Sequence, residues 1–149
     1  MNIRHVPGPA VAVLALCLLS ACSGPDSAIT LNFEVDGDTR TVVMHPSSVE
    51  CRAKNVVGSS VNDQPIGTFV FSLGDDGFLG SGRVTLSQDD EVVTFRASEV
   101  PVTVTDGRVE LPKTSGEVMI GDLIGPGEEA SGHQQVTGSL SADLTCTTD

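Results

Sequence analysis

Residues 29–44 read ITLNFEVDGDTRTVVM, and this stretch decides the fold. Its apolar side chains recur at every second position, which is the period of a β-strand that buries one face. They are Ile29, Leu31, Phe33 and Val35. The Asp36-Gly37 pair that follows is typical of the tight turn of a β-hairpin, after which the chain returns through TRTVVM. The stretch therefore predicts two antiparallel strands that share an apolar face.

The period of two continues through the rest of the chain. Further strands are predicted at SVECRA, IGTFVFSL, RVTLS, EVVTFRA, EVPVTVT, RVEL and VTGSLSADLTC. Turn-forming residues separate them at 74–77, 88–90 and 106–107. Pro101 cannot donate a ladder hydrogen bond and predicts a sheet edge or a bulge. Strands of this length and spacing predict an all-β fold, either an antiparallel β-sandwich or a partly open β-barrel.

No segment has a strong helical stripe of apolar residues. The stretch 115–124 is ambiguous by its period, but its glycines favour strand or loop. The following residues, 125–134, read GPGEEASGHQ and predict an exposed loop.

The N-terminal 21 residues differ in composition from the rest. A weakly basic start contains Arg4, an apolar core runs over 10–19, and small residues precede Cys22. These are the three parts of a bacterial export signal. The apolar core is well short of the roughly 20 residues that span a bilayer, and no later stretch comes closer, so no transmembrane segment is predicted.

The residues at the end of this signal are Leu19, Ser20, Ala21 and Cys22. This quartet resembles the lipobox of bacterial lipoproteins, in which a diacylglyceryl group is attached to the cysteine thiol and the signal is cut just before that residue. The predicted divisions are a signal peptide over 1–21, a lipidated tether over 22–28 and a single β domain over 29–149. The alternative is a secreted protein with a chance cysteine near its cleavage site.

Two acyl chains on Cys22 are enough for stable anchoring, since one chain alone binds a membrane only marginally, and acylation of the new N-terminus adds a third. The tether reaches about 20 Å at full extension. We therefore expect a protein held close to the extracytoplasmic face of the cell membrane.

The charge balance excludes some classes of partner. All 20 acidic residues follow the signal, against seven of the eight lysines and arginines, so the mature charge is 7 − 20 = −13. Such a surface repels nucleic-acid phosphates, so no nucleic-acid binding is expected. A solvated acidic surface explains this charge better than a cation site does.

The four cysteines divide into two groups. Cys17 lies in the apolar core of the signal and Cys22 is the predicted lipid attachment point, which leaves Cys51 and Cys146. An even pair in an exported protein predicts a disulfide. Both fall on the apolar parity of their strands, so both should point into the same core.

No catalytic or metal-binding constellation emerges. The histidines are His5 in the signal, His45 before a proline and His133 in the predicted loop, none with Cys, Asp or Glu at metal-ligand spacing. LGSGR at 79–83 lacks the glycine spacing of a nucleophile elbow. KTSG at 113–116 has no accompanying Ser-x-x-Lys. We therefore expect no cofactor, no metal and no enzymatic activity.

The lipobox, the stretch VDGDTRTVVMHPSSVEC and the final GSLSADLTC together resemble the LpqH-type lipoprotein antigens of mycobacteria and related actinomycetes. The resemblance implies a non-enzymatic surface antigen of the cell envelope, whose acylated Cys22 is recognised by innate immune receptors. It also matches Cys51 and Cys146 to the cysteine pair of that family. The family has a long Ser/Thr/Ala/Gly-rich linker after the lipidated cysteine, whereas this chain has about six residues there.

Two classes of function follow. The first is a membrane-tethered β domain that acts as an antigen or interaction module towards a host receptor or an envelope partner. The second is a lipid or small-molecule carrier with an apolar pocket inside the β domain. A continuous apolar cavity above about 300 Å³ would favour the carrier, and a filled core would favour the interaction module.

Overall fold

The computed structural model describes residues 27–75, 79–122 and 134–147. Every regular element within these ranges is a β-strand, as the alternating pattern predicts. The strands are β1 (Ala28–Val35), β2 (Asp38–Met44), β3 (Ser48–Cys51), β4 (Asn55–Ser60), β5 (Ile66–Ser72), β6 (Gly80–Gln88), β7 (Glu91–Val100), β8 (Thr103–Thr105), β9 (Arg108–Asp122) and β10 (Gln134–Thr145).

All ten strands belong to one antiparallel sheet that curls into a half-barrel. The order across the sheet is β2-β1-β10-β9-β7-β6-β5-β4-β3, and β8 pairs with β9 away from this path. Consecutive strands are mostly hairpin neighbours, and the N-terminal hairpin docks beside the C-terminal strand β10. The prediction of an all-β antiparallel fold with one disulfide is confirmed, in the form of a partly open barrel.

The concave face of the sheet holds the core. The predicted alternation is visible in β1, where Ile29, Leu31 and Phe33 are buried. The largest fully buried side chains are Phe69, Phe71, Phe95, Ile29, Leu31, Met44, Leu86, Leu140, Leu144, Val56, Val84 and Val100. Because they come from β1, β2, β4, β5, β6, β7 and β10, the core forms only when the sheet curls on itself.

One edge of the curled sheet, the strand β3, meets the C-terminal end of the interior strand β10. The disulfide joins Cys51 at the end of β3 to Cys146 just after β10, with a Cα–Cα distance of 5.6 Å. Beside it, the Thr147 amide donates to the Val49 carbonyl at 2.7 Å. The Val49 amide in turn donates to the Thr147 hydroxyl at 3.0 Å. The predicted pairing is therefore confirmed, and it closes the sheet at this corner.

Two details differ from what the sequence suggests, and one open alternative is resolved. The strand β4 (NVVGSS) was not predicted, because its glycine and serines hide the apolar alternation. Pro101 lies in a short break between β7 and β8 rather than inside one strand. The ambiguous stretch that begins at Ser115 is strand as far as Asp122, where β9 ends.

Replacing both Cys51 and Cys146 with serine should lower the free energy of unfolding by about 3–5 kcal/mol, since the bond closes a loop with a sequence separation of 95. Chemical denaturation of the variant and of the parent protein measures this loss. The parent protein with its disulfide reduced is the control, because reduction opens the same bond without a substitution and should lower stability by a similar amount. Equal midpoints for the oxidised parent and the variant would contradict a stabilising bond.

Gly58 in β4 lies against the ring of Phe69, whose Cε1 and Cζ atoms would be 2.6 Å from an added Cβ, and against the Ser48 carbonyl. Gly58→Ala should therefore cost about 1–3 kcal/mol through overpacking. Gly82→Ala is the matched control, because its Cβ would meet Phe71 at 3.2 Å, where a small shift suffices. The midpoint temperature of thermal unfolding should be well below that of Gly82→Ala for the Gly58→Ala variant. The reverse order would refute the packing argument.

Candidate functional site

The N-terminal tether enters the sheet beside the closed corner. Ser27 is the first described residue, and its hydroxyl accepts a hydrogen bond from the Thr145 amide at 2.9 Å. The Nδ1 atom of His45 lies 3.1 Å from the Ser27 carbonyl oxygen. The chain entry is therefore fixed between β10 and the end of β2. Cys22 precedes Ser27 by five residues, a reach of about 17 Å at full extension.

The predicted site residues fall into two sets. Leu19, Ser20, Ala21 and Cys22 lie outside the described residues, as does His133. Cys51 and Cys146 form the disulfide and pack against the core. His45 contacts the tether. In the described ranges no three His, Cys, Asp or Glu side chains are placed to hold a metal ion, and no helix there is long and apolar enough to cross a bilayer.

Aromatic and aliphatic side chains occupy the concave face. Phe69 and Phe71 have ring centroids 5.2 Å apart and are at most 1% exposed. Phe95 is also fully buried. The centre of the half-barrel thus contains the protein's own aromatic side chains.

An open groove of about 920 Å³ lies on the outside of the sheet, and we call it the outer groove. It is lined by Val70, Ser72, Ser81, Gly82, Arg83, Arg96, Ala97, Ser98, Glu99, Thr114, Ser115, Gly116 and Glu117. These residues come from β5, β6, β7 and β9. The outer groove thus offers hydroxyl and charged groups on a surface that also exposes much carbon, as a ligand with both polar and aliphatic parts requires.

Strand separation explains the position of the outer groove. The ladder between β7 and β9 ends at the pair Arg96 and Glu117. Beyond it, β7 stays with β6 as far as Val100, with a register shift between Gly80 and Gly82. Meanwhile β9 stays with β10, with its own shift between Leu140 and Ala142. The two strands therefore part, and the outer groove lies where they do.

Two arginines face each other on the wall of the outer groove. Arg83 on β6 and Arg96 on β7 are direct register partners. Both side chains point away from the core, because their neighbours Val84 and Phe95 are fully buried. Like charges at directly opposite positions destabilise a sheet. Two arginines at directly opposite positions are therefore unusual, and here they occur in a chain that is otherwise strongly acidic.

The arginine pair was missed by the sequence analysis, although a signal for it exists. Asp89 and Asp90 form the two-residue turn of the β6–β7 hairpin, so partners in the hairpin have residue numbers that sum to 179, as Gln88 and Glu91 do. Arg83 and Arg96 satisfy the same sum. The sequence carries no comparable signal for the separation of β7 from β9, because that separation depends on the register shifts in the β6–β7 and β9–β10 ladders.

A second cleft, of about 240 Å³, separates the free edge of β2 from the β6–β7 hairpin. The Arg40 guanidinium crosses it and donates two hydrogen bonds to the Glu91 carboxylate, of 2.5 and 3.2 Å. It also lies 5.2 Å from the centroid of the Phe33 ring. The hydrogen bond to Glu91 raises the pKa of Arg40 further above its ordinary value, against the opposing effect of burial. Arg40 thus links the N-terminal hairpin to the far side of the sheet.

Comparison of the chain with protein-family models, curated proteins and solved structures found no match. The function is therefore inferred from the residues and the geometry described above.

The Arg40–Glu91 pair should show a coupling energy of about 0.5–1 kcal/mol in a double-mutant cycle with Arg40→Ala and Glu91→Ala, decreasing at high salt. The Arg52–Glu50 pair is the control. Its side chains are each 60% exposed, against 40% and 37% for Arg40 and Glu91, so its coupling should be close to zero. Equal coupling in the two cycles would argue against a linking role for Arg40.

Proposed function

We propose that the protein is a bacterial cell-envelope lipoprotein, anchored by acylated Cys22 to the extracytoplasmic face of the membrane. Its β domain is a non-enzymatic interaction module. The observation that carries this proposal is Leu19-Ser20-Ala21-Cys22 directly after an apolar core that is too short to span a bilayer. The sulfur of Cys22 is the nucleophile that accepts the lipid.

The geometry of the chain entry supports a defined orientation. With about 17 Å of chain between Cys22 and Ser27, the corner that contains Thr145 and Cys146 faces the bilayer. The turns at the other end of the N-terminal hairpin and of β6–β7 carry Asp36, Asp89 and Asp90 and point away from it. The Asp106-Gly107 turn lies at the bilayer-facing corner, where the Gly107 carbonyl accepts a hydrogen bond from the Cys146 amide, so acidic side chains occur at both ends of the sheet.

The described residues also support a binding role over an enzymatic one. Phe69, Phe71 and Phe95 occupy the centre of the half-barrel, and the described His and Cys side chains contact the Ser27 carbonyl or form the disulfide. The resemblance to LpqH-type antigens implies that innate immune receptors recognise the acylated N-terminus at Cys22. The partner of the β domain is either an envelope component or a host receptor.

Cys22→Ala should move the protein from the membrane fraction into the medium, because the variant has no thiol to accept the diacylglyceryl group. Fractionation followed by immunoblotting measures the distribution. Cys17→Ala is the matched control, since it removes a thiol from the same apolar segment and should leave the protein in the membrane fraction.

Intact mass spectrometry of the native protein completes this test. The expected mass is that of residues 22–149 with acyl chains at the N-terminal cysteine and one disulfide. Membrane retention of Cys22→Ala, or a native mass without fatty acid, would refute the proposal.

A further inference from the structure

The outer groove combines three features that point to a ligand. It is large enough for a small molecule, at about 920 Å³. Two of its lining residues, Arg83 and Arg96, are direct register partners. Its other lining residues include five hydroxyl side chains and two carboxylates, beside a substantial share of exposed carbon. Each feature restricts the chemistry of what can bind there.

The opposed arginines select an oxyanion with more than two oxygens. Side chains that face each other across an antiparallel pair have Cβ atoms about 4.5–5.5 Å apart, so the guanidinium groups of Arg83 and Arg96 can reach one ligand group together. A carboxylate has two oxygens, and one guanidinium fork satisfies both. A phosphate offers oxygens to both guanidinium groups.

Arg83 and Arg96 each already take part in an interaction within the protein. Glu117 is the register partner of Arg96 on the other side, and its carboxylate accepts a hydrogen bond of 2.6 Å from the Gln135 amide. Glu99 also lines the outer groove. A bound phosphate would therefore join an existing network of charges rather than meet isolated cations.

The rest of the outer groove selects the body of the ligand. Four serine hydroxyls, from Ser72, Ser81, Ser98 and Ser115, both donate and accept hydrogen bonds. The carboxylates of Glu99 and Glu117 only accept when ionised, so they require donors on the ligand. Hydroxyl groups meet both requirements, whereas a second anionic group beside these carboxylates would be repelled.

We propose that the outer groove binds the phosphate of a polyol phosphate between Arg83 and Arg96, with the hydroxyls of the ligand directed to the serines and carboxylates. A free polyol phosphate and a glycerophosphate headgroup of a lipid share this chemistry. None of the residues of the outer groove takes part in the proposed anchoring through Cys22. The two proposals are therefore tested independently.

Isothermal titration calorimetry of the full-length native protein in non-ionic detergent tests the site with two soluble probes. Glycerol 3-phosphate is the monoester and glycerophosphoglycerol is the diester found in a lipid headgroup. Saturable binding of at least one probe, weakened by added salt, is expected, and glycerol and acetate should not bind. Preference for the diester assigns a lipid headgroup as the source, and preference for the monoester assigns a free metabolite. Binding of neither probe overturns the proposal.

Arg83→Gln and Arg96→Gln should each lower the affinity for the probe by at least about tenfold, because each removes charge-assisted hydrogen bonds. Arg52→Gln is the matched control, since it removes a surface arginine from the β3–β4 turn, outside the outer groove, and should leave the affinity unchanged. Thermal unfolding verifies that the variants fold. If a glutamine variant does not fold, the lysine variant retains the charge without the fork and should bind more weakly than the parent. Unchanged affinity in a folded Arg83 or Arg96 variant overturns the proposal.

Discussion

The closed corner at Cys51 and Cys146 is the constraint on which the rest of the structure depends. A ten-stranded sheet that buries one face must curl. Here curling brings the edge strand β3 to the end of the interior strand β10, and this contact is fixed by one covalent bond and by the two hydrogen bonds between Val49 and Thr147. Among the described residues the core has four phenylalanines, and the whole chain has no tryptophan or tyrosine, so a covalent constraint contributes more to stability than it would in a larger core.

The same corner organises the functional surfaces. Ser27 binds Thr145 directly beside the disulfide, so the predicted lipid anchor and the covalent closure act on one end of the sheet. The outer groove lies elsewhere, at the place where β7 and β9 part. Under the proposed anchoring, a short tether would hold one end of the domain near the membrane surface, while the outer groove lies on the side of the sheet. Anchoring and ligand binding therefore need not compete for the same residues.

The sequence predicts the fold class well because a period of two with Asp-Gly turns leaves few alternatives. It also predicts the disulfide, because Cys51 and Cys146 share the apolar parity of their strands. It does not predict β4, where Gly58 and the serines interrupt the apolar pattern that identifies strands. Gly58 is needed there by the ring of Phe69, a neighbour that only the tertiary structure supplies. The opposed arginines are predictable from the β6–β7 turn, but the outer groove around them arises from register shifts between distant strands, which local pattern does not encode.

The position of β1 has a mechanical consequence. Its N-terminal end continues into the segment that leads to Cys22, and it lies between β2 and β10 with ladders on both sides. Tension applied through that segment acts along the strand, in shear, so the hydrogen bonds of both ladders share the load at once. An edge strand pulled sideways would instead lose its bonds one after another. A domain attached in this way would resist drag in the cell envelope without opening its sheet.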